Sequence, residues 1–312
     1  MGVSAQAVGV AAAYENAPRR PLRPGALLRA ASDAIPPSGL VLMAILSVQL
    51  GASFAKTLFA TLSPSGVTLV RIATGALIML VVVRPRLRGH SWRDLGVMAL
   101  FGLSLAGMNL SFYEAMSRLP LGVAVAIEFL GPLALAVAAS RRRLDILWVL
   151  LAGAGVLLLI GPWNQDLGGL SWAGIGFALL AALGWAAYIL LSAATGKRFS
   201  GTSGLALAMG VAAIAAAPAG VATAGEALLD PHTLLIGCAV GLLSSVIPYS
   251  IELEALRRMP PRVFGILMSL EPAVAALLGL VVLQEFLDPH QWAAILCVVI
   301  ASAGATKSAA SP

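Results

Sequence analysis

Charge is what this sequence has least of. Only 11% of its 312 residues are Asp, Glu, Lys or Arg, against about 25% in an ordinary soluble domain. So little charge cannot cover a water-facing surface. With 59% hydrophobic residues and a mean hydropathy of +0.93, the main solvent must be lipid. The same numbers exclude disorder for most of the chain. Cysteine is scarce too: Cys238 and Cys297 sit inside apolar runs, which leaves no disulfide framework and no CxxC metal site. The three histidines, His90, His232 and His290, lie in or beside expected loops and far apart. There is no HExxH, no GxSxG and no Walker loop, so no enzyme chemistry, cofactor or metal is expected.

What the chain does have is long apolar runs. A helix needs about 20 apolar residues to cross about 30 Å of hydrocarbon. Ten such segments are read at 39–59, 66–83, 95–116, 121–140, 144–161, 172–194, 203–221, 233–255, 262–284 and 290–306. The expected fold is therefore an all-α, multi-pass membrane protein of ten transmembrane helices. Residues 1–37 carry Arg19, Arg20, Arg23 and Arg29 among prolines, with no apolar stretch before the arginines. They read as a flexible cytoplasmic tail and not as a signal peptide.

The net charge of +6 could suggest nucleic acid, but no aromatic-studded basic patch accompanies it. Its distribution speaks of topology instead. With the N-terminus in the cytoplasm, seventeen of the twenty Lys and Arg residues fall inside and one, Arg118, outside. Lys56 and Arg71 lie within membrane segments. The positive-inside rule thus predicts both termini cytoplasmic.

The chain also repeats itself. Residues 114–136 and 254–276 match at eight of 23 positions at an offset of 140. The informative matches are Glu114/Glu254, Arg118/Arg258, Pro120/Pro260 and Pro132/Pro272. Segments 3–5 then correspond to segments 8–10, giving two five-helix repeats at 38–161 and 172–306. Five is odd, so the second repeat enters the membrane from the opposite side. Inverted repeats of this kind typify secondary transporters, which rock around a site near the midplane. An old duplication in a non-transporting scaffold or receptor is the competing reading.

A charge at the bilayer centre costs about 3 kcal/mol even on mild insertion scales. Lys56, Arg71, Glu128 and Glu271 all lie in apolar segments, so they must face one another or a hydrated cavity. Glu128 and Glu271 lie near mid-depth, each beside a repeat-matched proline, and are the expected proton-coupling carboxylates. The alternative is a structural hydrogen bond or ion pair. Lys56 and Arg71 lie toward the outer ends of their segments, where long cations can snorkel. Against snorkelling, Gln49, Ser53 and Lys56 form one polar stripe, and Arg71 shares a face with Thr68 and Gly75. Asn109, Tyr113, Trp185, Tyr188, Ser245 and Tyr249 complete the candidate lining of a substrate cavity. For the aromatic ones, helix packing is the competing reading. The pairs Glu114–Arg118 and Glu254–Arg258 read as helix-end structure. Without a nucleotide-binding domain, transport would draw on an ion gradient or be passive.

The stretches GASFAKTLF (51–59), VTLVRIATGALI (67–78), GMNLSFYEAMSRLPLGVAVAIEFLGPLALA (107–136), GWAAYILLS (184–192) and PYSIELEALRRMPPRVFGILMSLEPAVAALLG (248–279) resemble a known family. It is the EamA-type group of the drug/metabolite transporter superfamily, and more narrowly the threonine/homoserine exporters of bacterial inner membranes. The resemblance implies export of small neutral amino acids driven by the proton gradient. A zwitterionic substrate needs a cation for its carboxylate and an anion for its ammonium. Lys56 or Arg71 can supply the first and Glu128 or Glu271 the second. Asn109 or Ser245 can meet a hydroxyl. A same-fold carrier of another metabolite or a drug is the nearest alternative.

Overall fold

The computed structural model describes residues 35–86, 89–138, 144–160 and 171–309. The expected tail lies outside these except for residues 35–37. Among the described residues the chain forms thirteen α-helices and no strand. They are α1 (Pro37–Thr57), α2 (Pro64–Val83), α3 (Trp92–Met116), α4 (Leu121–Glu128), α5 (Leu130–Ala138), α6 (Leu144–Ile160) and α7 (Trp172–Gly196). The rest are α8 (Ser203–Ala224), α9 (Pro231–Gly241), α10 (Ile247–Arg258), α11 (Pro261–Met268), α12 (Glu271–Leu283) and α13 (Pro289–Ala309). Among the described residues, eight helical runs are long and apolar enough to cross a membrane, and Ile146–Leu159 and Pro231–Val246 are shorter apolar helices. Leu77, Val82, Leu150, Leu183 and Ile214 are more than half exposed on these runs, as a lipid-facing surface requires.

Prolines explain why three of the expected segments are broken. Pro132 has no N–H to give the carbonyl of Glu128, four residues back, and α4 ends at Glu128. Pro272 likewise cannot serve Met268, where α11 ends. The two breaks stand 140 residues apart, the same offset as the sequence matches. Pro120 and Pro260, also 140 apart, are the N-caps of α4 and α11. In the eighth segment, Pro248 sits in the first turn of α10, and a π-turn over Leu242–Val246 absorbs the lost hydrogen bond.

The helices pack so that the two halves of the chain interleave. The pair α3 and α7 has its counterpart in α10 and α1; α3 and α8 in α9 and α2; and α4–α5 with α7 in α11–α12 with α1. The pairs α2 with α8 and α6 with α13 are their own counterparts. Exchanging the halves therefore leaves these pairings unchanged. Small residues let the crossings close up. A Cβ on Gly122 would stand 2.5 Å from that of Ala276, where α4 crosses α12, and one on Gly131 would collide with the carbonyl of Ala182 on α7. The main core runs through the middle of the bundle, with a second cluster of Leu40, Val41, Ile45, Ala255, Phe264 and Met268 where α1, α10 and α11 meet.

Candidate functional site

Inside this bundle lies a small polar cavity of about 90 Å³. Its charged lining is Arg71 from α2, Glu128 from the end of α4 and Glu271 from the start of α12. Gln49 from α1, Asn109 from α3 and Ser244 from the π-turn add neutral polar groups. Trp185 and Tyr188 from α7, with Phe112 and Tyr113 from α3, supply aromatic walls. Both halves of the chain contribute. About 10–15 Å³ holds one water by this measure, so the cavity takes several waters or one small solute. It is far below the roughly 300–1,000 Å³ of pockets that hold drug-sized ligands.

The helix breaks decide the electrostatics. Glu128 stands at the carbonyl end of α4, which attracts a cation, while Glu271 stands at the N–H end of α12, which favours an anion. Both residues are under one-tenth exposed. Gln49 Nε2 donates to Glu271 Oε1 at 2.9 Å. The Arg71 guanidinium lies 5.0 Å from the centre of the Tyr113 ring, a cation–π distance. Tyr113 in turn packs against Phe59 and Phe112. Trp185 is set edge-on to Phe129 with ring centres 5.0 Å apart, and Tyr188 stacks obliquely on Phe101 at 5.1 Å.

Partners run out at the cavity. Among the described residues, Arg71 Nε, Gln49 Oε1 and Glu271 Oε2 are buried without a hydrogen-bond partner. A buried unpaired polar atom costs about 1–3 kcal/mol, more when charged. Such atoms gathered around one cavity mark a place where solvent or a ligand completes the set. Asn109 Nδ2 donates to the Leu105 carbonyl at 2.8 Å. This fixes the amide orientation and leaves Oδ1 as its acceptor.

The structure thus brings together Arg71, Asn109, Tyr113, Glu128, Trp185, Tyr188 and Glu271 of the sequence candidates. Lys56 goes elsewhere. Its Nζ lies 2.5 Å from Glu285 Oε1 and donates to the Leu119 carbonyl at 2.6 Å. The polar stripe of α1 is split, because Gln49 reaches the cavity while Lys56, two turns on, sits at the helix end. Ser245 is buried, yet its neighbour Ser244 is the one lining the cavity, because the π-turn widens the helix there. Tyr249 lies on α10, and its side chain falls outside the described residues. Sequence reasoning gave Glu285 no role, since an acid in a connection between apolar segments reads as solvated.

Comparison with known proteins agrees with this architecture. Residues 172–306 match the EamA-like transporter family. The threonine/homoserine exporter RhtA of Escherichia coli (strain K12) is 42% identical over 271 residues, covering 86% of this chain and 91% of the relative. The exporter of the same name from Salmonella typhimurium (strain SL1344) is 44% identical, covering 86% and 90%. A solved crystal structure superposes on 88% of this chain and 97% of its own, with a TM-score of 0.56 at 18% identity, and so shares the fold. The relatives are exporters and not enzymes. Identity above two-fifths across nearly the whole of those relatives leaves one conclusion: the chain belongs to the EamA-like transporter family, as a multi-pass protein of the bacterial inner membrane.

Proposed function

We propose that this protein exports small neutral hydroxy amino acids, threonine and homoserine, from the cytoplasm by proton antiport with alternating access. The cavity carries the proposal: Arg71, Glu128 and Glu271 line one small space to which both halves contribute. Its size and charges suit one zwitterion. Arg71, with its planar fork, takes the substrate carboxylate. Glu128, at the carbonyl end of a broken helix, takes the ammonium. Asn109 Oδ1 accepts the substrate hydroxyl. The relatives named threonine/homoserine exporter support the substrate class. The cavity volume speaks against the drug carrier.

In this reading the chain crosses the membrane ten times, as two inverted five-helix repeats with both termini cytoplasmic. The paired helix breaks, the exchangeable packing and the distribution of Lys and Arg support it. Substrate enters from the cytoplasm, the repeats rock, and substrate leaves outside. A proton from outside then loads Glu128 or Glu271 and favours the return. Coupling requires that proton and substrate stabilise the two states differently.

The test is accumulation of radiolabelled homoserine and threonine in inside-out vesicles under a pH gradient, with and without an uncoupler. Gradient-dependent accumulation that is lost in Glu128→Gln or Glu271→Gln is expected. Good expression with no flux of either amino acid would overturn the substrate assignment.

A further inference from the structure

Away from the cavity, one cluster ties three helix ends together. Lys56 is in the last turn of α1. Its Nζ pairs with Glu285 Oε1 and donates to the Leu119 carbonyl. The other oxygen of the same carboxylate, Glu285 Oε2, accepts the Leu121 N–H at 2.7 Å, in the first turn of α4. Glu285 is held in place by a left-handed turn at Gln284 (φ 56°), which ends α12, and by its own N–H donating to the Gly279 carbonyl. Both side chains of the ion pair are less than one-fifth exposed. One carboxylate and one ammonium therefore pin the end of α1, the start of α4 and the end of α12 to a single point.

Those three helices also line the cavity. Gln49 lies on α1, Glu128 closes α4 and Glu271 opens α12. In the topology proposed above, the connections after α1, before α4 and after α12 all lie on the outer face. That face is tied elsewhere as well: Ser65 to Glu114, Ser63 to Thr223, and Arg118 over Phe177. Two charges held so nearly out of water are costly to separate unless water replaces the partner. Opening the cavity on this side would admit that water.

We propose that the Lys56–Glu285 ion pair is a latch that holds the cavity shut toward the outer face. The closed arrangement is the one described here, and release of α4 from α1 and α12 opens the way out. The proposal rests on the alternating-access reading and on its orientation, and it is independent of which amino acid is carried.

The experiment places one reporter thiol in the cavity, Val125→Cys, in a chain carrying Cys238→Ser and Cys297→Ser. Val125 lines the cavity and lies one turn beyond Leu121 on α4. Labelling by a charged, membrane-impermeant methanethiosulfonate is timed from each face, in intact cells and in inside-out vesicles. Lys56→Met and Glu285→Gln are each expected to speed labelling from the outer face by about fivefold or more, and to slow it from the inner face. Lys56→Arg, which keeps the charge, is expected to stay within about twofold of the parent. Glu285→Gln keeps the side chain's shape and an acceptor for the Leu121 N–H, so it carries the test independently of Lys56→Met. Unchanged rates from both faces would overturn the latch. So would rates that rise together from both faces, because the ion pair would then merely hold the bundle, or a rise from the inner face alone. Labelling needs no amino acid. Absent homoserine flux with the labelling change intact would sink the substrate assignment and leave the latch standing.

Discussion

Two half-buried cations, one on each of the first two helices, end in opposite circumstances. Lys56 finds two hydrogen-bonding partners within the chain, a carboxylate at 2.5 Å and a carbonyl at 2.6 Å. Arg71 does not. It shares a cavity with two acids, and among the described residues its Nε has no hydrogen-bond partner. A charge that the fold completes holds helices together; a charge that the fold leaves incomplete waits for something from outside. The difference separates a structural contact from a binding site more sharply than burial does, since all five charged groups in these two clusters are at least partly removed from water.

The largest effect that tests this contrast is expected at Arg71. Arg71→Met should cut homoserine efflux roughly 100-fold, equal to about 2.7 kcal/mol, measured as initial rate in vesicles. Arg71→Lys should recover only part of it, because an ammonium lacks the two-pronged geometry. If Arg71→Met transports normally, the completed and incomplete clusters do not differ in function.

Next come the carboxylates. Glu271→Gln should leave exchange of substrate without a gradient but remove the acceleration that an acid outer compartment gives, whereas Glu128→Gln, which also loses the contact proposed for the ammonium, should slow both. Retention of full gradient dependence by both variants would mean that the coupling proton loads elsewhere.

The contrast can also be read from stability. A double-mutant cycle between Lys56 and Glu285 should give a coupling of about 2 kcal/mol in the purified protein. The corresponding cycle between Arg71 and Glu271 should give a much smaller one without substrate. Equal couplings would erase the distinction. A finer effect is expected at Asn109. Asn109→Leu should reduce the preference for homoserine over 2-aminobutyrate by about tenfold, the order of one lost hydrogen bond to a bound hydroxyl.

The smallest effect belongs to an acid that is fully partnered but outside the membrane spans. Asp230 caps α9, and its Oδ2 accepts the Thr233 hydroxyl at 2.5 Å and the Thr233 N–H at 3.0 Å. The Thr233 hydroxyl, followed by its N–H, holds this carboxylate below the usual aspartate range. Its contribution is therefore present in full above the ordinary value of about 3.9 and fades as pH falls through the lowered one. Asp230→Ala should lower Tm slightly at neutral pH and make no difference in strong acid.

Much of the cavity was legible in the sequence because lipid makes polarity conspicuous. Arg71, Glu128 and Glu271 stand out in apolar segments at a cost that demands a purpose. Asn109, Trp185 and Tyr188 could be picked by face and depth. The stripe through Gln49 and Lys56 was visible, but a stripe does not say that its two ends serve different clusters. Ser245 was read for Ser244 because a regular helical wheel cannot anticipate a π-turn, although Pro248 was the residue that signalled one. Glu285 passed unnoticed, since an acid in a connection costs nothing until the fold buries it.

Composition and periodicity by themselves determined that the chain is an all-helical membrane protein. They also revealed the 140-residue internal likeness and the residues too polar for their surroundings. These are properties of each segment against its solvent, and each segment carries them alone. Only the tertiary structure decided which of those polar residues share a space, which are paired off and where the helices break around them. Pairing depends on distances between segments far apart in the chain. A charge in lipid must find a partner, but its own sequence neighbours do not say which.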